Sequence, residues 1–318
     1  MLAVTTNQQN RTTRGTVMTE RGGRILVLGT GRIGKAMAHL LGRRQPVVSW
    51  EGLPPDGSAP EPLEPLVHQA EFVFFCMPVV AHSDIAPRVA AALPDGAVCV
   101  TIAKGLDESG RTAAGILHQA LGEGKALAAI YGPMIAEDLQ ADRLGFADLA
   151  CPQRETFQQV RELFRGSALK LVHTTDLTGA SWAVVLKNVY VPLIGAADEL
   201  QLGDNVRGAL TIDAFRELAA IVEALGGAPT SPYGLAGLGD FVGSATSADS
   251  HHRQLGRRLA RGETRGLEGE GPHTLAMIDR HRLFDTEPYP LLNLARRMFA
   301  DPPATADELR GYLEGWGE

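Results

Sequence analysis

Lys187 and Asn188 stand side by side in an otherwise apolar segment, and this pair is the first sign of chemistry in the chain. An ammonium group among valine and leucine side chains loses solvation, and desolvation lowers the pKa of a lysine. A lysine whose pKa is moved toward neutrality can exchange a proton with an alcohol or a ketone. The alternative is a lysine that reaches out of an amphipathic helix to water, which is common. Taken alone the segment favours that alternative, so a catalytic Lys187 depends on further motifs.

A second polar oddity is Asp240, which ends the run Gly234–Asp240 of glycine and apolar residues, GLAGLGD. Such a run is an unusual helix or strand, but glycine accepts dihedral angles and close approaches that other residues cannot. We therefore expect a tight backbone that carries the Asp240 carboxylate into a confined pocket.

Lys104 follows almost directly after the apolar run Ala97–Ile102, which is typical of a buried strand. Ligands of open parallel sheets bind at the carboxyl ends of the strands. Lys104 is therefore a candidate site residue, and the alternative is a solvated loop lysine.

A nucleotide-binding unit near the N-terminus is the element that must position these groups. A strand-like run at 24–28 leads into the glycine-rich turn 29–34 and then into a helix-forming stretch. In this order the first glycine makes the turn, the second lets the backbone approach a pyrophosphate, and the third permits close packing of helix on strand. The helix N-terminus adds free N–H groups and a positive dipole end. The predicted cofactor-binding residues of this turn are Gly29, Thr30, Gly31, Arg32, Ile33 and Gly34, and the alternative is a tight turn without a ligand.

The choice of cofactor is predicted from the end of the second strand. Glu51 lies about twenty residues past the glycines, where an acid binds the adenosine ribose and repels a 2′-phosphate. Glu51 therefore favours NAD, although NADP stays open because Arg43 and Arg44 lie nearby and Glu51 could be a solvated loop residue. Pro78 begins the loop that is expected beside the nicotinamide.

The spacing of apolar runs predicts an α/β protein, with a Rossmann-type doubly wound sheet followed by an all-α C-terminal domain. A last strand at 168–173 closes a sheet of roughly seven or eight strands. Residues 179–203 are expected to form one long helix or a broken pair, because Pro192 and Gly195 mark a kink. The predicted units are a disordered tail at 1–20, a dinucleotide-binding domain at 21–175 and a helical catalytic domain at 176–318.

The composition is that of a soluble globular protein, with 318 residues, 44% hydrophobic and 21% charged. A net charge of −7 argues against a nucleic-acid-coating surface. Because residues 1–20 lack the apolar stretch of a secretory signal and no apolar segment reaches the ~20 residues that span a bilayer, we expect a cytoplasmic protein without membrane insertion. Cys76, Cys99 and Cys151 are expected to be buried, reduced thiols, and no Cys/His spacing predicts a metal site.

Together these motifs resemble the NAD(P)-dependent glycerol-3-phosphate dehydrogenase family. The similarity runs without gaps from Gly179 through Asn205, and with the N-terminal glycines it covers most of the chain. The resemblance implies that Lys187 is the acid/base, that Lys104 and Asn188 orient the substrate oxygens, and that Asp240 tunes the Lys187 ammonium. A carboxylate beside the lysine would favour its charged form. The resemblance also implies a small-molecule substrate, by default glycerol 3-phosphate with dihydroxyacetone phosphate as its ketone, and a homodimer through the helical domain.

Departures from the family pattern cluster near the expected substrate end. Ser181 replaces an acid, Asp213 stands in a segment where the family has arginine, and Met134 and Ile135 replace a small hydroxyl residue and an aromatic after Pro133. The segment 52–65 also looks shortened.

The largest departure is His251-His252, which stands where the family has an arginine-asparagine pair that grips the substrate phosphate. Arginine binds phosphate through a charged fork, whereas histidine is mostly neutral at pH 7. Losing that clamp should cost about 1.5–3 kcal/mol of phosphate affinity, roughly tenfold or more. Three interpretations stay open: weaker phosphate binding with help from Arg253, a different substrate head, or surface histidines of no consequence. A zinc site with His273 is unsupported, because adjacent helix residues point apart.

The predicted substrate-binding residues are Lys104, Ser244, His251, His252 and Arg253, with no metal. The predicted reaction is reversible hydride transfer between the nicotinamide and the carbinol carbon of a small alcohol. Two alternatives are a related enzyme that acts on another hydroxy or keto substrate, and a catalytically silent NAD-binding regulator. The complete set of Lys104, Lys187, Asn188 and Asp240 argues against the regulator.

Overall fold

The computed structural model describes residues 24–53 and 57–317, so the predicted tail at 1–20 lies outside the described residues. The strands are β1 Ile25–Leu28, β2 Val47–Trp50, β3 Phe72–Phe75, β4 Val98–Thr101, β5 Ala126–Tyr131, β6 Gly145–Ala150 and β7 Leu169–Thr174. The helices among and after the strands are α1 Arg32–Gly42, α2 Leu63–Val67, α3 His82–Ala92, α4 Ala113–Leu121, α5 Ala136–Gln140, α6 Arg154–Leu163, α7 Leu177–Glu199, α8 Asp204–Ala224, α9 Asp240–Thr246, α10 His251–Ala260, α11 Glu270–His281, α12 Pro290–Ala300 and α13 Thr305–Glu314.

The described strands form one seven-stranded sheet in the order β2-β1-β3-β4-β5-β6-β7. Neighbouring strands are parallel except for the antiparallel pair β5–β6. Both faces are buried, because Ile25 and Val27 of β1 pack into one apolar core while Leu26 and Leu28 pack into another on the opposite face. This sheet, with helices following it, confirms the predicted Rossmann-type architecture and helical C-terminal part.

Helix α7 is the central element of the helical part. The side chain of Asp176 caps it by accepting a hydrogen bond from the Gly179 N–H at 2.8 Å. Of the two predicted alternatives the structure has the unbroken helix, which runs through Pro192. Pro192 has no N–H, so the helix lacks the hydrogen bond that would run from this position to the Asn188 carbonyl oxygen.

Helix α10 crosses α7 at a contact that only glycine permits. A Cβ atom on Gly256 would lie 1.8 Å from the Pro192 carbonyl oxygen, and one on Gly195 would lie 2.1 Å from the Arg253 carbonyl oxygen. The two helix backbones therefore touch, which fixes the position of the N-terminal end of α10 relative to Lys187.

The run Gly234–Asp240 is helical, which differs from the expectation. Leu235–Gly239 forms a π-helical turn that continues directly into α9 at Asp240. The predicted close approach of the backbone is present, because a Cβ on Gly237 would lie 2.0 Å from the Pro232 carbonyl oxygen. The shortened segment 52–65 ends in the first residues of α2, which begins at Leu63.

By length and composition α7 is apolar enough to span a bilayer, contrary to the sequence expectation. However, 94% of its most apolar window is buried inside the protein, as in a core helix. The three cysteines are buried and free, as predicted.

Candidate active site

The candidate active site is a cluster of charged side chains where the sheet meets the helical part. Lys104 comes from the loop after β4, Lys187 from the middle of α7 and Asp240 from the start of α9. The Nζ atoms of Lys104 and Lys187 lie 2.8 Å and 2.9 Å from the same Oδ2 atom of Asp240. Lys187 also donates a hydrogen bond to the Ser244 hydroxyl at 2.9 Å, and Lys104 lies 3.4 Å from the Gly132 carbonyl oxygen.

Burial sets the electrostatics of this cluster. Lys187 is 3% exposed and Asp240 is 5% exposed. Desolvation lowers the pKa of Lys187 below its usual value, although the Asp240 carboxylate opposes the shift. Burial also disfavours the charged form of Asp240, but the two ammonium groups outweigh it, so the pKa of Asp240 lies below its usual value. The cluster therefore holds an ionised carboxylate between two ammonium groups, one of which gives up its proton more readily than a free lysine.

Asn188 and His252 meet at the carboxylate of Glu270, the first residue of α11. Asn188 is fully buried and donates a hydrogen bond to Glu270 Oε2 at 2.6 Å. The Nε2 atom of His252 lies 3.8 Å from the same oxygen. Burial, together with the nearby Lys187, lowers the pKa of His252 to about 3, so its imidazole is neutral near pH 7.

The other predicted substrate-binding residues do not all face this cluster. The His251 ring is exposed and its Nε2 lies 3.3 Å from the Glu268 carbonyl oxygen. Arg253 is turned to Asp198, with its Nε and Nη2 atoms 2.9 Å and 2.7 Å from Asp198 Oδ2. The structure thus brings Ser244 and His252 to the cluster and leaves Arg253 occupied elsewhere.

The glycine turn has the shape that a dinucleotide phosphate needs. Gly29 adopts φ +102°, and a Cβ on Gly34 would lie 1.9 Å from the Gly29 carbonyl oxygen. A Cβ on Gly31 would meet nothing within 4 Å, which leaves open space beside the turn. Gly31 is also the N-cap of α1 and no side chain caps this end, so its first N–H groups are available for an anion.

Thr30 and Glu51 are joined at the end of β2, where the Thr30 hydroxyl donates a hydrogen bond to Glu51 Oε2. The two side chains thereby fix a carboxylate next to the glycine turn. A carboxylate at this point suits ribose hydroxyls and opposes a 2′-phosphate.

A cleft of about 530 Å³ connects the glycine turn to the charged cluster. Its lining includes Gly31, Arg32, Ile33, Pro78, Lys104 and Glu270. Four of the predicted cofactor residues, Gly31, Arg32, Ile33 and Pro78, therefore open into the same space as Lys104, so the residues present fit a nicotinamide dinucleotide.

Two site residues were missed by sequence analysis. Asp148 of β6 accepts a hydrogen bond from the Ala236 N–H at 2.8 Å and so ties the π-helical turn to the sheet. A carboxylate inside the buried strand Gly145–Ala150 was a signal that could have identified it. Glu270 lies in a charged, glycine-rich segment with other glutamates, and no pattern distinguished it from them.

A mostly parallel sheet with an uncapped glycine turn, joined by a cleft to Lys104 of the charged cluster, defines the class of nucleotide-dependent dehydrogenases with a helical second half. Family models agree: residues 52–157 match the NAD-dependent glycerol-3-phosphate dehydrogenase N-terminus and residues 176–279 match its C-terminus. A relative in Stenotrophomonas maltophilia, strain K279a, described as glycerol-3-phosphate dehydrogenase [NAD(P)+], is 31% identical over 92% of this chain and 91% of its own length. The chain belongs to the NAD(P)-dependent glycerol-3-phosphate dehydrogenase family, which confirms the resemblance.

Other relatives and solved structures agree with this assignment. The protein of the same description from Agrobacterium fabrum is 30% identical, over 81% of this chain and 86% of its own. Glycerol-3-phosphate dehydrogenase from Coxiella burnetii superimposes with a TM-score of 0.77 at 23% identity, covering 92% of this chain and 99% of that one. The Saccharomyces cerevisiae enzyme gives 0.74 at 15% identity, covering 91% and 99%. These structural likenesses concern the fold.

Proposed function

We propose that the protein catalyses reversible NAD(P)-dependent oxidation of a small secondary alcohol to its ketone, with Lys187 as the acid and base. The observation that carries the proposal is the buried Lys187 ammonium, which the Asp240 carboxylate joins to Lys104 in the lining of the cleft that begins at the glycine turn. The proposal agrees with the family, whose members named above are described as glycerol-3-phosphate dehydrogenases.

Proton transfer in this proposal is the task of Lys187. In the direction of ketone reduction its Nζ gives a proton to the substrate oxygen, and in alcohol oxidation the neutral amine takes the hydroxyl proton. The pKa of Lys187, lowered by burial, makes both steps accessible nearer to neutral pH than for a free lysine. A bound nicotinamide supplies or accepts the hydride.

Lys104 and Asp240 position and tune that lysine. The Lys104 ammonium contacts the same Asp240 oxygen as the Lys187 ammonium. Lys104 is therefore close enough to Lys187 to stabilise negative charge that develops on a substrate oxygen beside the two lysines. Asn188, next to Lys187 on α7, is proposed to orient the substrate.

The default substrate pair is sn-glycerol 3-phosphate and dihydroxyacetone phosphate, because these relatives carry that name. We also propose a cytoplasmic homodimer formed through the helical part, on the strength of the family resemblance. A domain boundary near residue 175 fits the end of β7 at Thr174 and the start of α7 at Leu177.

The direct test is NADH and NADPH oxidation by the purified chain with a panel of small ketones that includes dihydroxyacetone phosphate. Turnover that Lys187→Ala abolishes and Lys125→Ala leaves intact would support the proposal; Lys125 is a matched lysine paired with Asp95 at the surface. Tight NADH binding with no turnover of any ketone would instead favour a silent cofactor-binding protein.

A further inference from the structure

We propose that the substrate end of the site, formed by Asn188, His252 and Glu270, receives a neutral hydroxyl group, so that the preferred ketone is an uncharged hydroxyketone. The inference rests on the proposed hydride transfer and replaces the default phosphorylated substrate pair with an uncharged one.

The charges of the cleft are already balanced within the protein. Lys104 and Lys187 share the Asp240 carboxylate, and Glu270 adds a second carboxyl group, whose pKa is raised by burial although both lysines oppose the shift. Two ammonium groups therefore face two carboxylates. A phosphate dianion would enter without a surplus of positive charge and would approach the Glu270 carboxylate, which is repulsive.

The N-terminal end of α10 offers no charged fork to make up this deficit. His252 is neutral near pH 7, and His251 contacts a backbone carbonyl. Arg253 donates hydrogen bonds from its Nε and Nη2 atoms to the Asp198 carboxylate, which also forms an ion pair with Arg207.

The remaining α10 arginines do not fill that place. Arg258 is committed to Glu263 and to the carbonyl oxygens of Arg265 and Gly266. Arg257 lies five residues beyond His252, about 7 Å further along the helix axis. Phosphate recognition by a bidentate guanidinium is therefore not built into this end of the helix.

The polar atoms that are present suit a hydroxyl group instead. Asn188 Oδ1 and His252 Nδ1 are buried and have no hydrogen-bond partner. A buried polar group without a hydrogen bond is unfavourable, so a ligand that satisfies these two atoms gains affinity. A hydroxyl can donate its one hydrogen bond to the Asn188 amide oxygen and accept one from the His252 imidazole when Nδ1 carries the proton, whereas a phosphate dianion only accepts.

Much of the cleft is apolar. Met77, Ile102, Met134 and Ile135 line it, and Ile135 is 47% exposed. An apolar wall of this kind contacts a carbon skeleton favourably and gives nothing to a charged group.

The experiment compares kcat/KM of the full chain for dihydroxyacetone phosphate, dihydroxyacetone and hydroxyacetone, with NADH and with NADPH. We expect the two uncharged ketones to exceed the phosphate ester at least tenfold. A higher value for dihydroxyacetone phosphate would overturn the inference and leave the proposed dehydrogenase intact. If no ketone is reduced although NADH binds, the proposed function fails, and this inference fails with it.

A second arm locates the determinant. The double variant His251→Arg/His252→Asn adds a guanidinium and removes the imidazole, and should shift the ratio of kcat/KM by at least tenfold toward dihydroxyacetone phosphate. His118→Arg adds the same charge on α4 and serves as the matched control, with an unchanged ratio expected. An unchanged ratio in the double variant would contradict the assignment of specificity to this end of α10.

Discussion

The cofactor end and the substrate end of the cleft are constrained in different ways. At the cofactor end the backbone itself makes the site: Gly29 needs a positive φ, and Gly34 touches the Gly29 carbonyl oxygen. At the substrate end the backbone of α10 is fixed by Gly256, but His251 and His252 are side chains that project from it. A site made by backbone admits few residue types, whereas side chains on a fixed helix can change the specificity while the chemistry stays in place.

The largest expected effect concerns Lys187, which is proposed to react where the cofactor end and the substrate end meet. Lys187→Ala removes the ammonium group that Asp240 and Ser244 both hold and that is proposed to carry the proton, and should lower kcat for ketone reduction by about 10²–10⁴-fold. Steady-state rates with NADH measure it, and Lys125→Ala is the control. A loss smaller than tenfold would assign proton transfer to another group.

Gly256→Ala tests whether the substrate half has backbone contacts as strict as those of the glycine turn. Its Cβ would lie 1.8 Å from the Pro192 carbonyl oxygen, so α10 must shift, and we expect a loss of at least about 3 kcal/mol in the free energy of unfolding. Chemical denaturation measures it. Gly208→Ala in α8 meets open space and should be neutral or stabilising. Equal stability of the two variants would mean that α10 is free to move.

Two buried carboxylates of the helical half can be contrasted through pH. Asp240 faces two lysines, whereas Glu217 accepts hydrogen bonds from the Leu291 and Leu292 N–H groups and from the Tyr190 hydroxyl, and burial raises its pKa to about 7. Because the folded state binds this proton more tightly than the unfolded state, Glu217 contributes stability that is complete below pH 4.5 and is lost as the pH rises through 7.

Relative to Glu217→Gln, which cannot titrate, the wild type should therefore lose up to about 3 kcal/mol of unfolding free energy between pH 5 and pH 8. Urea denaturation of both proteins at several pH values measures this difference. If the wild type instead gained unfolding free energy relative to Glu217→Gln between pH 5 and pH 8, the three donors would stabilise the ionised carboxylate more than burial opposes it.

The smallest expected effect concerns the preference for NADH over NADPH at the cofactor end of the cleft. Glu51→Gln removes the charge that opposes a 2′-phosphate but keeps an oxygen for Thr30, so the preference for NADH over NADPH should fall about tenfold. The ratio of kcat/KM for the two cofactors measures it. An unchanged ratio would mean that Glu51 does not determine the choice between the two cofactors.

Features that depend on local backbone rules could be predicted from the sequence, whereas contacts that depend on helix packing could not. The glycine turn, the position of Lys104 after β4 and the helix around Lys187 followed from short-range patterns. The meeting of Glu270 with Asn188 joins residues 82 positions apart, and the pairing of Arg253 with Asp198 joins residues 55 apart. Such contacts depend on how helices pack, which no local pattern in one sequence specifies.

The ion pair between Lys104 and Asp240 links the sheet to the helical part through the reacting group itself. Lys104, when close, lowers the pKa of Lys187. Thermodynamic linkage is reciprocal, so loss of the Lys187 proton must in turn strengthen the contact that draws Lys104 toward Asp240. In the proposed reaction the neutral Lys187 amine takes the proton of the alcohol, so this form of Lys187 is also the one in which the Lys104–Asp240 ion pair between the sheet and the helical part is strongest.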